Sequence, residues 1–293
     1  MKNIILFILL GLFVSTNLFA QDEATEEKEK DKPVRFAWES GVLIDQQTSH
    51  IPTVKTLKMV IQHKFGPVEN GHSDLWGIYA PAGNIRLGLN YVVANNVEIG
   101  WGISKRKMYN DFNAKWTILE QTRKNQIPVF VTLYGNAAIE GSPEEDFGTE
   151  YQFSDRLSYF SQLIIGRKVT DGISLQAGLS FSHANSVAPE YDHDRVGLHF
   201  NGRAKVSPQG AIIFNFDAPL KIDKISEQRP EWDNHPKPNL SFGYEVSTST
   251  HAFQIYMGNS EGMLLQDIMM NNFNSTDFDN FAIGFTITRL WSF

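Results

Sequence analysis

Residues 97–104 read Val-Glu-Ile-Gly-Trp-Gly-Ile-Ser, and large apolar side chains alternate there with small or polar ones. The apolar positions are Val97, Ile99, Trp101 and Ile103. Successive side chains of an extended strand point to opposite faces, so this alternation predicts a strand with one apolar and one polar face. In a soluble sandwich the apolar face packs on a core, whereas in a membrane barrel it contacts lipid.

The same alternation recurs along the chain and predicts twelve strands. Their ranges are 56–65, 84–93, 97–105, 113–121, 127–139, 156–169, 173–183, 195–206, 211–217, 239–247, 251–258 and 280–290. An even number of antiparallel strands leaves both ends of the wall on one side of the membrane. The sequence therefore predicts an all-β protein, a transmembrane antiparallel up-and-down β-barrel of about 12 strands over residues 56–293.

The polar faces of these strands favour a barrel over the alternative, a soluble sandwich. They are rich in Gly, Ser, Asn and Gln with isolated charges, and small side chains suit the crowded inside of a narrow barrel. The apolar faces carry aromatic residues near many predicted strand ends, as the interface girdles of membrane barrels do. The predicted interface aromatics are Tyr91, Trp101, Trp116, Phe181, Tyr244 and Trp291.

The connections between the predicted strands alternate in length. The short ones are 94–96, 122–126, 170–172, 207–209 and 248–250. The long ones are 66–83, 106–112, 140–155, 184–194, 218–238 and 259–280. Bacterial barrels combine tight periplasmic turns with longer outside loops, so this alternation supports the same architecture.

The N-terminal residues predict export. Residues 1–20 combine a positive start, an apolar stretch and an Ala before Gln21, which is the pattern of a cleaved signal peptide. Residues 21–33 are highly charged, contain no aromatic residue and predict a disordered acidic tether. Residues 34–55 contain a strand-like stretch that would break the even strand count, so we expect a periplasmic segment or a plug inside the barrel.

The C-terminal residues Trp291-Ser292-Phe293 place an aromatic side chain at the end of the last predicted strand. Phe293 falls on the lipid-facing positions and is predicted to be the insertion signal. The expected partners are therefore outer-membrane lipid and, during biogenesis, the barrel-insertion machinery. The predicted location is the bacterial outer membrane.

The composition excludes several other classes of protein. Cysteine is absent, which excludes disulfides, thiolate metal sites and a lipid-anchored lipoprotein. The formal net charge is −7 and no block of Lys or Arg stands out, so we expect no nucleic-acid partner. We also predict no cofactor and no metal ion.

With the strands placed, the chain resembles a family of outer-membrane β-barrels of unknown function found in Bacteroidetes. The matching stretches are His63-Lys64-Phe65-Gly66, Asn84-Ile85-Arg86-Leu87-Gly88-Leu89, Trp116-Thr117-Ile118-Leu119-Glu120-Gln121, Pro128-Val129, His251-Ala252-Phe253-Gln254-Ile255, Asn259 and Gly284-Phe285-Thr286-Ile287-Thr288-Arg289. One departure is Lys64, where the family tends to carry Arg. The resemblance implies a fold and a location, but it implies no activity and no catalytic residue.

No catalytic motif emerges from the sequence, and we expect no enzyme activity. Asp192-His193-Asp194 suggests a metal site, but no second His stands at ligand spacing and a solvated loop explains the stretch better. A lipid-hydrolysing barrel would need Ser and His on the same lipid-facing side, whereas Ser182 and His183 fall on opposite faces.

Charged residues on the inward positions suggest a function for the lumen. The lumen candidates are Lys58, Lys64, Arg86, Glu98, Lys115, Lys168, Arg195, His199, Arg203, Lys205 and Glu245, together with Asp217. Eight of them are Lys or Arg and three are acidic, which predicts a basic lumen and a passage or binding site for small anionic solutes. Alternatively, the bases pair with carboxylates such as Glu39 and Asp45 of the segment 34–55.

The loop Gly262–Met270 is unusually apolar for an outside loop. A short amphipathic helix folded over the barrel mouth would bury these residues. That arrangement favours the alternative function, a structural or partner-binding barrel with an occluded lumen. The physiological role, the solute and the oligomeric state do not follow from the sequence.

Overall fold

The structure, a computed structural model, describes residues 31–35, 37–81, 83–227 and 232–293. Twelve strands of these residues form one closed antiparallel barrel, in which chain neighbours pair and the first wall strand pairs with the last. The predicted up-and-down β-barrel is therefore confirmed. The predicted signal peptide and residues 21–30 of the predicted tether lie outside the described residues.

The wall strands lie within three residues of their predicted bounds. They are β3 Thr56–Pro67, β4 Asn84–Ala94, β5 Val97–Ser104, β6 Asn110–Leu119, β7 Phe130–Ile139, β8 Leu157–Lys168, β9 Ile173–Ala184, β10 Asp194–Lys205, β11 Gly210–Pro219, β12 Asn239–Ser247, β13 His251–Gly258 and β14 Ala282–Ser292. Two short strands precede them, β1 Val42–Leu43 and β2 Gln46–Gln47, and one α-helix, α1 Leu265–Asn271, precedes β14. No helix of the described residues is long and apolar enough to span a membrane.

The strand β5 displays the two faces that its sequence predicts. Ile99, Trp101 and Ile103 point outward and are 49%, 42% and 39% exposed, whereas Glu98 points inward and is 1% exposed. The other wall strands repeat this pattern, with apolar residues outside and mostly polar residues inside. An apolar surface that continues around the whole wall requires a nonpolar surrounding, which a bilayer provides.

The alternation of short and long connections holds with one exception. The connection 120–129 has ten residues, whereas 105–109 on the opposite end has five, because β6 begins and ends earlier than predicted and β7 begins three residues later. The barrel closes where β14 pairs with β3, and Ser292 lies opposite Thr56. Both ends of the wall therefore lie at the end of the barrel that carries the short turns, hereafter the short-turn end.

The described residues of 34–55, hereafter the plug segment, enter the lumen as a hairpin of β1 and β2. The backbone N–H of Ile44 donates to Oε1 of Gln254 at 2.8 Å, and Oγ1 of Thr117 donates to the carbonyl of Ser49 at 2.9 Å. Since Thr117 and Gln254 lie on distant wall strands, the hairpin is enclosed by the wall. The structure thus places this segment inside the barrel and not beside it.

Ile44 lies at the tip of the hairpin with a φ of 56°. A β-branched residue rarely adopts this left-handed conformation because its side chain crowds the backbone. The Ile44 N–H donates a hydrogen bond to Gln254. The Ile44 side chain is fully buried with Leu43 and packs against wall residues that include Phe130 and Ile213. The surrounding wall therefore maintains a backbone conformation that the isolated hairpin would avoid.

Residues 32–34 pair with a connection of the wall. The N–H of Val34 donates to the carbonyl of Gln121 at 2.8 Å, and the N–H of Arg123 donates to the carbonyl of Lys32 at 2.9 Å. Residues 32 and 33 belong to the predicted tether, and in the structure they pair with the connection 120–129. The plug segment therefore enters the lumen from the short-turn end.

At the opposite end of the barrel, hereafter the long-loop end, α1 covers the mouth. Ile268 and Met269 are 1% exposed and pack with Tyr134, Phe160 and other inward wall residues. The short helix expected to fold over the barrel mouth is therefore present, at Leu265–Asn271, but it has no exposed polar face, because all of its residues except Asn271 are buried. The plug segment and α1 together occlude the lumen from both ends.

Candidate functional site in the lumen

Most of the predicted lumen residues lie inside the barrel. Those at most 8% exposed are Lys58, Lys64, Arg86, Glu98, Lys115, Arg195, His199, Arg203, Asp217 and Glu245. Lys168 lies at the last position of β8, where its ammonium donates to the carbonyl of Arg35 at 3.0 Å. Lys205 is exposed at the last position of β10, so the structure places it at the rim of the barrel and not in the lumen.

Arg86 forms a two-pronged ion pair with Asp111. Its Nε lies 2.8 Å from Oδ1 and its Nη2 lies 2.6 Å from Oδ2 of the carboxylate. Gly102 makes room for this pair, because a Cβ there would collide with the guanidinium and lie 2.7 Å from Oδ1 of Asp111. The small residues of the opening stretch thus accommodate large charged partners. Asp111 was not predicted to line the lumen, because β6 was expected to begin at residue 113.

Two lysines share one carboxylate in the next cluster. Nζ of Lys58 lies 2.6 Å and Nζ of Lys115 lies 3.8 Å from Oε1 of Glu98, and all three side chains are almost fully buried. The plug segment supplies a further acceptor, since Lys115 donates to the carbonyl of Gly41 at 3.1 Å. A side chain at Gly41 would lie within 2.7 Å of the Lys58 ammonium. One positive charge of this cluster therefore has no carboxylate of its own.

Two wall bases pair with carboxylates of the plug segment. Nζ of Lys64 lies 2.9 Å from the carboxylate of Asp45. Arg203 lies 3.1 Å from Glu245 on the wall and 3.6 Å from Glu39 of the plug segment. These contacts therefore show the alternative that the sequence left open, in which lumen bases pair with Glu39 and Asp45.

These partners correct the predicted basic lumen. Asp111, Asp45 and Glu39 add three carboxylates that the count of wall positions omitted, and Asp192 neutralises Arg195 at 2.9 Å. Charges buried in a low-dielectric interior need partners of opposite sign, so the closed state is nearly balanced. Among the described residues, six lumen bases now face seven carboxylates, so no excess of bases remains in the closed state. Lys58 and Lys115 still share the single carboxylate of Glu98.

Ser180, His199 and Asp217 form a hydrogen-bonded row on three adjacent strands. Oγ of Ser180 lies 2.7 Å from Nε2 of His199, whose Nδ1 lies 2.8 Å from Oδ1 of Asp217. This is the order of groups found in serine hydrolases. The sequence analysis missed it because it searched for Ser and His on the outer face, and cross-strand register is not visible in a local pattern.

The plug segment covers this row. Nε2 of Gln46 donates to Oδ1 of Asp217 at 2.6 Å, and the side chains of Asn215 and Asn239 donate to Oδ2 of the same carboxylate. Ser180, His199 and Asp217 are at most 4% exposed. With the plug segment in place, the row fastens the hairpin to the wall and offers no access for a substrate.

The residues of the loop Asp192-His193-Asp194 point to different partners. Asp192 pairs with Arg195, His193 lies 2.7 Å from Glu227, and Asp194 lies 2.7 Å from His183. Within the part of the chain that the structure describes, no three His, Asp or Glu residues converge as metal ligands would. Each of the three side chains therefore has a charged or hydrogen-bonding partner of its own.

The predicted interface aromatics all lie on the outer face, and Tyr91, Trp116 and Trp291 lie towards the short-turn end. Trp101 differs, because it pairs with Leu89, the sixth of the eleven residues of β4, and thus lies nearer the middle of the wall. Phe293 is 80% exposed beyond the end of β14, where another protein could contact it.

A family model described as a membrane-bound beta barrel domain (DUF5777) matches residues 38–291. The chain belongs to this family. The match begins within the plug segment, so the β1–β2 hairpin is part of the family's domain. The protein is therefore a membrane-bound β-barrel, and its apolar outer face contacts lipid.

Solved structures of other barrels align with most of this chain. An outer membrane channel from Pseudomonas putida F1 aligns with a TM-score of 0.51 and 10% identity, covering 83% of this chain and 97% of that one. NanC porin aligns with a TM-score of 0.47 and 7% identity, covering 81% and 99% of the two chains. Such identities concern the fold alone. No curated protein sequence matches the chain significantly.

Proposed function

We propose that this protein is a gated outer-membrane barrel that passes or binds small anionic solutes and that the plug segment closes it. The proposal rests on one observation: inside the lumen, the carboxylate of Asp45 forms an ion pair with the ammonium of Lys64 at 2.9 Å. An anionic group on a solute has the same chemistry as this carboxylate. Withdrawal of the plug segment would therefore free a cation for it.

The wall without the plug segment favours anions. Arg195 and Asp192 neutralise each other. Among the other inward residues of the described wall, five bases face four carboxylates. The bases are Lys58, Lys64, Arg86, Lys115 and Arg203, and the carboxylates are Glu98, Asp111, Asp217 and Glu245. A pore lined by such an excess selects ions of the opposite sign.

The proposal places the barrel in the outer membrane of a Bacteroidetes bacterium. It also assigns the barrel an orientation in that membrane. Membrane barrels carry their short turns on the periplasmic side. Since residues 32–34 pair with the connection 120–129 at the short-turn end, a gate built from the plug segment would be reached from the periplasm. Outer-membrane lipid surrounds the wall in this arrangement.

Planar-bilayer recordings test the proposal. The double variant Asp45→Asn/Glu39→Gln removes both plug carboxylates, and we expect more frequent openings with an anion-selective reversal potential than in the unmodified protein. Glu150→Gln, an exposed loop residue, is the matched control and leaves the recordings unchanged. Closed recordings for the double variant and for a chain lacking residues 34–55, or cation-selective openings, would contradict the proposal.

A second candidate is a structural or partner-binding barrel without transport or catalysis. The observation that favours it is that the plug segment and α1 are buried at opposite ends of one lumen. Under this alternative the polar row at Asp217 serves only to hold the hairpin. Absence of conductance in every variant, with the barrel intact, would favour this candidate.

A further inference from the structure

The wall of the barrel holds the plug segment largely through the backbone of that segment. Five backbone carbonyl oxygens accept hydrogen bonds from inward side chains on four wall strands. The carbonyls belong to Gly41, Val42, Ile44, Gln47 and Ser49, and the donors, in the same order, are Lys115, Gln254, Gln62, Gln176 and Thr117. Because every peptide carries such carbonyls, these contacts recognise a peptide backbone more than particular side chains.

Gln254 contacts the hairpin as a neighbouring β-strand would. Its Oε1 accepts from the N–H of Ile44 at 2.8 Å, and its Nε2 donates to the carbonyl of Val42 at 3.0 Å. A strand of a sheet offers its neighbour a backbone N–H and a backbone C=O in the same way. A ligand therefore needs both an N–H donor and a carbonyl acceptor to satisfy this side chain.

An anionic group belongs to the same set of contacts. Asp45 directly follows Ile44, and its carboxylate lies 2.9 Å from Nζ of Lys64. Gln46 comes next, and its side chain donates to the carboxylate of Asp217 at 2.6 Å. The lumen thus reads a carboxylate and the polar groups on both sides of it within three consecutive residues of its occupant.

The wall groups that bind the hairpin backbone lose their partners when the plug segment withdraws. Their side chains are at most 3% exposed in the closed barrel. A dicarboxylate would pair with the freed cation but would offer no N–H to the exposed amide oxygen. A ligand that carries a carboxylate together with backbone amides would satisfy both kinds of group.

Building on the proposed function, we infer that the anionic solute is a short acidic peptide, bound by the side chains that hold the plug segment in the closed barrel. Its carboxylate pairs with Lys64 in place of Asp45, and its backbone pairs with Gln254. Apolar side chains beside the acid fill the space that Leu43 and Ile44 occupy. The plug segment is then a built-in competitor, and a bound peptide keeps the barrel open because both cannot occupy these groups at once.

A peptide that reproduces residues 40–49 is the probe, because it carries one carboxylate, that of Asp45. The receptor is the full-length double variant Asp45→Asn/Glu39→Gln in detergent, whose own hairpin lacks both carboxylates. Fluorescence anisotropy of the dye-labelled peptide measures binding, and we expect saturation. The same peptide with Asn in place of Asp45 should bind about 10-fold or more weakly, because a charge-assisted hydrogen bond contributes about that much.

Two small anions separate the peptide from anions in general. Glutarate carries carboxylates without amides, and glucuronate carries a carboxylate with hydroxyl groups. Each should displace the labelled peptide only at a concentration about 100-fold higher than the unlabelled peptide requires, since each lost hydrogen bond costs several-fold in affinity. The unmodified protein should bind the peptide more weakly than the double variant, because its own hairpin competes at a high effective concentration.

Wall variants in the background of the double variant locate the site. Gln254→Leu removes both hydrogen bonds to the backbone and should weaken peptide binding about 10-fold. Thr117→Val removes one donor with little change of shape and should weaken it about 5-fold, so it decides the matter if Gln254→Leu does not assemble. Ser158→Ala is the matched control, since that inward hydroxyl has no hydrogen-bond partner among the described residues, and it should leave binding unchanged.

The possible results distinguish this inference from the proposed function. Displacement by glutarate at the same concentration as by the peptide, or unchanged affinity in both wall variants, would overturn the peptide assignment and leave an anion-selective barrel intact. The absence of peptide binding up to about 1 mM in a double variant that conducts anions would do the same. Peptide binding with the expected variant effects but without conductance would support this site and contradict the gate.

Discussion

The ammonium of Lys64 lies 2.9 Å from the carboxylate of Asp45 and also 2.9 Å from the carbonyl oxygen of Gly262. One side chain of the wall thus joins the plug segment to the loop that leads into α1. Both partners of the ion pair are nearly inaccessible to water. Since a buried charge is costly without its partner, the three parts of the molecule are energetically coupled at this point.

Asp45→Ala should destabilise the folded barrel by about 3–5 kcal/mol, because it leaves the Lys64 ammonium buried without a carboxylate. The measurement is denaturant unfolding in detergent, followed by tryptophan fluorescence. Glu39→Gln should cost at most about 1 kcal/mol, since Glu39 is more exposed and lies 3.6 Å from Arg203. The apolar double variant Asp45→Leu/Lys64→Met should recover most of the loss. A loss for Asp45→Ala no larger than that for Glu39→Gln would contradict this coupling.

Gly102→Ala should cost about 1–3 kcal/mol, because the added methyl group overlaps the ion pair of Arg86 and Asp111. Gly135→Ala is the matched control, since a Cβ there approaches only the carbonyl of Phe160, at 3.8 Å. The same unfolding experiment measures both. Equal stability of the two variants would mean that the wall relaxes around the ion pair.

Phe293→Ala should lower the amount of assembled barrel in the membrane several-fold without changing the stability of the barrel that does assemble. The side chain is 80% exposed, so it contributes little packing. Phe278→Ala removes another exposed aromatic side chain, from a long loop, and should assemble normally. Heat-modifiable gel migration of membrane fractions gives the assembled fraction. Reduced stability without reduced assembly would argue against an insertion signal.

The orientation of the barrel can be tested with single cysteines, because the chain has none of its own. Glu145→Cys and Asn234→Cys, both in long loops, should react with an impermeant maleimide on intact cells. Asn95→Cys, in a short turn, should react only after the outer membrane is opened. All three positions are exposed in the structure, so burial cannot explain a difference. The reverse labelling pattern would invert the proposed orientation.

The alternation of side chains was sufficient to predict the wall, because each strand has one face in lipid and one in the lumen. The alternation did not predict which charged side chains pair inside the lumen. Asp111 was missed because β6 begins three residues before its predicted start, although Asp111, Asn113 and Lys115 continue the same polar alternation. Pairing between charges depends on strand register, which local periodicity does not contain.

The contacts of the plug segment and of the row Ser180, His199 and Asp217 also could not be predicted from local periodicity. Asp45 and Glu39 were recognised as potential partners, but the choice of Lys64 and Arg203 requires the position of the hairpin inside the barrel. Likewise, Ser180 and His199 are nineteen residues apart and meet only because β9 and β10 pair antiparallel. Such contacts join distant parts of the chain, so no short motif encodes them.

Closure of the wall by β3 and β14 has a consequence for how the chain assembles. Thr56 and Ser292 meet although 236 residues separate them, so the cylinder cannot be completed until the last strand has been synthesised. The hairpin around Ile44 contacts early and late strands alike, including Gln62 on β3 and Gln254 on β13. The hairpin is therefore expected to serve as an internal template around which the sheet curls before its edges join.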